Sequence, residues 1–278
     1  MKFGWIQSLL IGIVTGLTEI LPVSAPAHNR ILVKFMGRGD VPALMQLLVD
    51  LGVFFALLLA CQPHILKIFR AKKMARIPKK KRKRPLDIRS LMDFRLLTTM
   101  VIPIILALVF YRRLQGVASN MIIMATMLFL NGLILYIPQF LPSSNKDCRT
   151  LSRVEGLLMG IGGALFAIPG LSGMGNALSV ASVTGVERKY GLSMILMMHI
   201  VVMAGKCVYD LLNLVSGSIG VLSVSVFLSY ILASAASFLM AWLSIRILRG
   251  LAEDKGFGFF AYYSWGFALF TFILTLMA

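Results

Sequence analysis

Three sets of residues in this chain carry groups able to do chemistry. Glu19, Ser24 and His28 flank Pro22, bringing a carboxylate, a hydroxyl and an imidazole close together, with Asn29 and Arg30 directly after. Ser172 and Asn176 follow a second break at Pro169-Gly170. His199, Lys206 and Asp210 stand at intervals of seven and four, which puts them on one face of a helix. Asp50 is a further ionisable group inside an apolar run. Carboxylate, imidazole and hydroxyl together can move protons and activate a nucleophile. Arg and Lys can hold a phosphate, Arg as a fork and Lys as a point charge. Each set also has a structural reading. Glu19 and His28 can steady the break, Lys206 and Asp210 can neutralise each other one turn apart, and Arg30 can be an interfacial topology charge.

The elements that must position these groups are membrane helices. The chain has 278 residues, of which 58% are hydrophobic and 14% charged, with a mean hydropathy of +0.86. That leaves too thin a charged coat for a water-facing surface. Six stretches approach or exceed the ~20 residues that span the hydrocarbon: Val41–Cys61, Leu96–Tyr111, Val117–Leu141, Leu192–Val215, Val221–Ile245 and Phe257–Met277. Lys2, the apolar run after it and Ala25-Pro26-Ala27 imitate a signal peptide, but Glu19 interrupts the run and no cleavage is expected. Cys61, Cys148 and Cys207 have neither metal nor redox spacing.

The net charge of +17 is distributed as a topology signal rather than a nucleic-acid surface. Twelve of the 28 Lys and Arg fall between Lys67 and Arg89. A basic loop at 62–95 is therefore expected in the cytoplasm, where it can also touch anionic lipid headgroups. Counting spans from it puts Lys146, Arg149, Arg153, Arg246, Arg249 and Lys255 on the same side, and the uncharged 216–220 turn opposite. Arg30, Lys34, Arg38, Arg112 and Arg113 depart from the rule.

Two interrupted segments, around 4–36 and 154–184, repeat at an offset of 148 residues: Gly12 with Gly160, Ile13 with Ile161, Leu17 with Leu165, Ile20 with Ile168 and Ser24 with Ser172. Three spans separate the copies, so they enter the membrane in opposite senses, the plan of proteins whose site lies near the midplane. Pro22 and Pro169-Gly170 cannot continue a regular helix. The expected fold is all-α and polytopic, with about six transmembrane helices and two re-entrant helical hairpins in an inverted repeat, its halves at roughly 1–141 and 149–278. Ordinary kinked spans are the alternative for the two segments. Gly12-xxx-Gly16 and Gly156-xxx-Gly160 permit close packing, within the chain or across a homodimer.

With these residues in view, Gly16-Leu-Thr-Glu19-Ile-Leu-Pro22-Val-Ser24 with His28 resembles the first motif of the undecaprenyl pyrophosphate phosphatase, or bacitracin-resistance, family. Ile168-Pro169-Gly170-Leu-Ser172 with Gly175 resembles its second motif, and Asp50-Leu-Gly52 also fits. The resemblance covers nearly the whole chain. It implies a multi-pass protein of the bacterial inner membrane acting on a polyprenyl pyrophosphate lipid. It implies catalytic roles for Glu19, Ser24, His28 and Ser172, and a divalent cation, Mg or Ca, at Glu19. Arg30, Asn176 and Lys206 are the candidates for holding the phosphates.

The sequence departs from that pattern where charge is handled. The family's first acidic position is Thr15, its second hydroxyl Ala25, its Arg Gly173, and the Ser and Thr that follow are Met174 and Ala177. Losing one transition-state donor typically costs about 2.7–4 kcal/mol. Three readings follow: a homologue that binds or translocates the lipid without hydrolysis, a phosphatase with rearranged groups in which Arg30 or Lys206 serves the phosphates, and a ligand-free structural or regulatory membrane subunit.

Overall fold

Eleven α-helices make up the computed structural model over the described residues, 3–82, 85–117, 120–141, 145–216, 223–252 and 256–277. Lys83, Arg84, most of the 216–220 turn and Lys255, all used in the charge counting, lie outside them. In chain order the helices are α1 Trp5–Ile20, α2 Ala25–Phe35, α3 Ala43–Ala75, α4 Ile88–Val109, α5 Tyr111–Val117, α6 Met121–Tyr136, α7 Arg153–Ala164, α8 Gly173–Val183, α9 Arg188–Ser216, α10 Val224–Leu251 and α11 Phe259–Leu276. Among the described residues six are long and apolar enough to cross a membrane: α3, α4, α6 with its following turn, α9, α10 and α11. Their outward faces carry exposed Phe55, Leu59, Ile102, Ile105, Phe129, Leu239 and Phe270, an apolar coat suited to lipid. The protein is an all-α, multi-pass membrane protein.

The helices run past the expected spans, and the 62–95 loop is mostly helix. Helix α3 continues fourteen residues beyond Cys61, and α4 begins eight before Leu96, leaving 76–87 as the connection. The continuation keeps an inward face, with Ile68 and Ala71 buried at a spacing of three. Lys72 sits 3.7 Å above the Phe94 ring and ties the two extensions together. Asp87 caps α4, accepting from Ser90 N at 3.1 Å and Ser90 Oγ at 2.7 Å. Those hydrogen bonds hold its carboxyl below the usual range. Deeper in, Tyr190 Oη donates to Asp93 Oδ1 at 2.8 Å, joining α9 to α4.

The two interrupted segments are broken helix pairs. Helices α1 and α2 have 16 and 11 residues, α7 and α8 have 12 and 11. At about 1.5 Å per residue none of them crosses a ~30 Å core alone. The chain turns extended at Leu21 and Ser24 in the first pair, and at Ile168 and Ser172 in the second. Gly170 has φ +100°, in the left-handed region where a Cβ would be strained. The breaks meet each other in the interior. Gly170 N donates to Ser24 Oγ at 2.9 Å, and Gly175 lies so close to Pro22 that an added Cβ would come within 2.9 Å of the proline Cβ. Ser172 N donates to Asn131 Oδ1 of α6 at 2.8 Å. Every polar backbone group settled in this way is one fewer left bare at membrane depth.

Each broken pair packs on a helix from the other half of the sequence. Gly12 and Gly16 let α1 approach the backbone of α10 at Ala233 and Ser237, while Gly160 lets α7 approach α4 at Met100. Gly52 of α3 faces the same stretch of α10, where Ser237 Oγ donates to Val49 O at 2.8 Å and Ser234 Oγ to Leu48 O at 2.6 Å. The glycine pairs thus serve contacts within the chain, where small residues allow backbones to close together.

Candidate functional site

The site begins with an ammonium whose ion-pair partners lie far from it in sequence. Lys206 lies midway along α9, 6% exposed, and a lone charge there would be untenable in hydrocarbon. Its Nζ lies 3.0 Å from Glu19 Oε2 at the end of α1, and 3.3 Å from Asp50 Oδ2 on α3. The other Glu19 oxygen, Oε1, faces His199 Nε2 at 3.5 Å. Asp50 Oδ1 accepts from Gln46 Nε2 at 3.1 Å. Three helices therefore meet at one ion cluster, with Glu19, Asp50 and Lys206 all buried. Asp210, one turn beyond Lys206, is buried beside it with Oδ2 lacking a hydrogen-bond donor.

This cluster forms part of the wall of a cavity of about 670 Å³, within the range of ligand pockets. Its α2 side carries Arg30, Lys34 and Arg38, and its α9 side Lys206, Tyr209, Asp210 and Asn213. Asn29, Asp40, Gln46, Tyr111 and Gln115 complete much of the polar lining. Lys206 and Glu19 also line a crevice of about 10 Å³ that reaches Ser172, Gly173 and His199. That volume is about enough for one water. The ammonium thus stands between the large cavity and the start of α8.

Both broken pairs turn a helix N-terminus toward this region. Ala25 and Pro26, the first residues of α2, line the cavity, and α2 has no side-chain cap. Ser172 and Gly173 at the start of α8 line the crevice. Amide donors and the helix dipole make such ends favourable to anions. Ser172 Oγ accepts from Gly175 N at 3.1 Å, so the hydroxyl oxygen acts as a helix cap.

The expected residues do not all converge. Glu19, Asp50, His199, Lys206 and Asp210 come together, and Arg30 faces the same cavity. His28 stands apart. Its Nδ1 is 2.7 Å from Ser24 O, its Nε2 is 2.7 Å from Tyr263 Oη, and its ring stacks on Phe267 at 3.9 Å. Ser24 Oγ is engaged with Gly170 N across the breaks, and neither residue lines the cavity or the crevice. Asn176 is completely buried in α8, and both atoms of its amide lack hydrogen-bond partners.

The pairing of Lys206 with Asp210 gives way to pairing with Glu19 and Asp50, which come from distant parts of the chain. Lys34 and Arg38 belong to the cavity although they entered the sequence reading only as exceptions to the charge rule. Arg30, Lys34 and Arg38 follow one another at intervals of four, and that spacing was the available signal. Tyr111, Gln115 and Asn213 carry no local pattern that marks them.

The residues at Glu19 do not fit a divalent ion. Such an ion needs several hard oxygen ligands at about 2.0–2.6 Å. Glu19 presents one oxygen to an ammonium and the other to an imidazole, and Thr15 donates its hydroxyl to Ile11 O at 2.7 Å. Among the described residues no three His, Cys, Asp or Glu side chains converge as a metal site.

At position 173 an added Cβ would come within 2.5 Å of Gly163 O and 2.7 Å of Phe166 Cβ. The first of these is backbone, so the main chain of the same broken pair leaves no room for a side chain at 173.

The family model described as bacitracin resistance protein BacA matches residues 8–270. A protein of Paenarthrobacter aurescens (strain TC1) named undecaprenyl-diphosphatase is 28% identical over 260 residues, covering 93% of this chain and 92% of its own. One of the same name from Corynebacterium glutamicum (strain ATCC 13032) is 26% identical, covering 94% and 87%. Another from Methanobrevibacter smithii is 27% identical and covers 94% of each chain. With the match running through both broken pairs and all six long helices, this chain belongs to the bacitracin resistance protein BacA family.

Proposed function

We propose that this protein binds a polyprenyl phosphate or pyrophosphate carrier lipid in the cavity between its two broken helix pairs, and holds or translocates it without the hydrolysis named for its relatives. The observation that carries this reading is Lys206, buried against Glu19 and Asp50 at the junction of cavity and crevice. The cavity offers a phosphate Lys206, Arg30, Lys34 and Arg38 with the N-terminus of α2, and the N-terminus of α8 lines the crevice beside it. Part of what the resemblance assigns to the chemical step is missing or engaged elsewhere: Thr15 and Gly173 stand at positions it gives to charged groups, His28 is held by Ser24, Tyr263 and Phe267, and Ser24 Oγ accepts from Gly170 N.

The exchange of α1 onto α10 and α7 onto α4 supports an inverted repeat with halves at about 1–141 and 149–278, in which both broken pairs are re-entrant. The 76–87 connection then lies in the cytoplasm, beside the anionic leaflet of the bacterial inner membrane.

A second reading, a phosphatase with rearranged groups, draws on the crevice that Ser172 shares with Lys206. One assay separates the two. Purified protein is given undecaprenyl pyrophosphate, with and without divalent metal, while phosphate release and lipid binding are both followed. Binding without release supports the first reading. Release that disappears in Glu19→Gln overturns it in favour of the second. Absence of both binding and release leaves a structural subunit and defeats each reading.

A further inference from the structure

Lys206 also bears on a question that lies beyond lipid binding: what cation, if any, the site requires. We infer that the Lys206 ammonium is a tethered replacement for a divalent cation, set between Glu19 and Asp50 where such an ion would have to stand, so that this site excludes Mg and related ions. The argument is geometric. An ion shared by Glu19 on α1 and Asp50 on α3 would need both carboxylates within about 2.6 Å. The Nζ of Lys206 already occupies the space between them, at 3.0 Å from one and 3.3 Å from the other. It offers only donors and no lone pair, so it cannot join a coordination shell.

The surroundings point the same way. His199 covers the second oxygen of Glu19, and Gln46 donates to Asp50. Thr15, in place of the second acid, turns its hydroxyl to its own helix and accepts from Asn29 Nδ2 at 2.8 Å. With Thr15 at the second acidic position that the resemblance implies and the Lys206 ammonium between the two remaining carboxylates, the place of an ion is filled from within the chain. An ammonium has three N–H donors, and two are directed at Glu19 and Asp50. Lys206 also lines the cavity beside Asp210, so an anion entering there meets the ammonium, an assignment that rests on the phosphate-binding reading, whereas the exclusion of metal does not.

The test uses Mn²⁺ alone as the probe, titrated into the detergent-solubilised full chain with free Mn²⁺ followed by electron paramagnetic resonance. Wild type is expected to show no saturable site up to roughly 10⁻³ M, the weak end of natural oxygen-ligand sites. Lys206→Met is expected to gain one site and the double variant Lys206→Met/Glu19→Gln to lose it. One Glu19-dependent site in the wild type overturns the inference, as does a folded Lys206→Met variant that gains none. Lys206→Gln, which keeps a polar side chain, replaces the Met variant if the latter fails to fold, and the wild-type titration decides alone if both fail. No lipid is present, so a failed lipid assay and a failed metal test remain distinct results.

Discussion

At the scale of single residues, the protein is organised around charges that would be prohibitive singly. Glu19, Asp50 and Lys206 come from three helices, and each is tolerated because the others are there. Removing one partner of a buried ion group typically costs about 3–5 kcal/mol, because it strands the remaining charge. Lys206→Met is therefore expected to lower stability by about that amount, read as a large fall in thermal midpoint in detergent. Adding Asp50→Asn to it should recover part of the loss, a non-additivity expected of contacting residues. An unchanged midpoint in the single variant would show that the ammonium is not held as described. His28 illustrates the opposite case. Its type and position promised chemistry, yet both its nitrogens and its ring face are taken by Ser24, Tyr263 and Phe267.

At the scale of elements, the glycines set how closely the broken pairs can dock. A Cβ at Gly12 would overlap the carbonyl of Ala233, and one at Gly160 the carbonyl of Met100. Gly12→Leu and Gly160→Leu should each destabilise the fold by at least the ~1–3 kcal/mol typical of overpacking. Gly250→Ala, with open space around it, should be neutral or slightly stabilising through helix propensity. Equal thermal midpoints for all three would contradict the packing. Asp87 gives a second prediction. Its capping hydrogen bonds lower the folded-state pKa, so its stabilisation is complete above the unfolded pKa and fades as pH falls through the carboxylate range. Asp87→Ala should cost about 1 kcal/mol at neutral pH, and the gap to wild type should narrow on acidification.

These elements also mark what could be read from sequence. Six long apolar runs and two breaks were legible, because hydropathy and Pro-Gly punctuation are local properties. The continuation of α3 to Ala75 was not, since Lys67, Arg70, Lys72 and Lys73 mask an inward face formed by Ile68 and Ala71. The true partners of Lys206 were hidden for a different reason. A pairing one turn away can be counted along a helix, but one with Glu19, 187 positions earlier, depends on which helices dock.

For the whole molecule, orientation is the property that joins site to membrane. The connection carrying Lys79, Lys80, Lys81 and Arg82 should face the cytoplasm, and the short α5 helix with Arg112 and Arg113 should lie on the other side. Cysteine placed at Lys79 should react with an impermeant maleimide only in inside-out vesicles, and cysteine placed at Arg113 only in right-side-out ones. The reverse labelling would invert the topology. Removing the charges at 79–82 should also weaken attraction to anionic leaflets by roughly 1 kcal/mol per residue lying near the surface, measurable by comparing vesicles with and without anionic lipid.

Gly173 has a bearing on how this site can be re-engineered. Because the main chain at Gly163 and the Phe166 side chain fill the space a Cβ would take, Gly173→Arg alone does not give the guanidinium a place to stand. The turn between α7 and α8 would have to reshape first, and any intermediate would bear that strain before gaining a benefit. A laboratory lineage selected for hydrolysis would sooner recruit Arg30 or Lys206, which already face the cavity, than an arginine at 173.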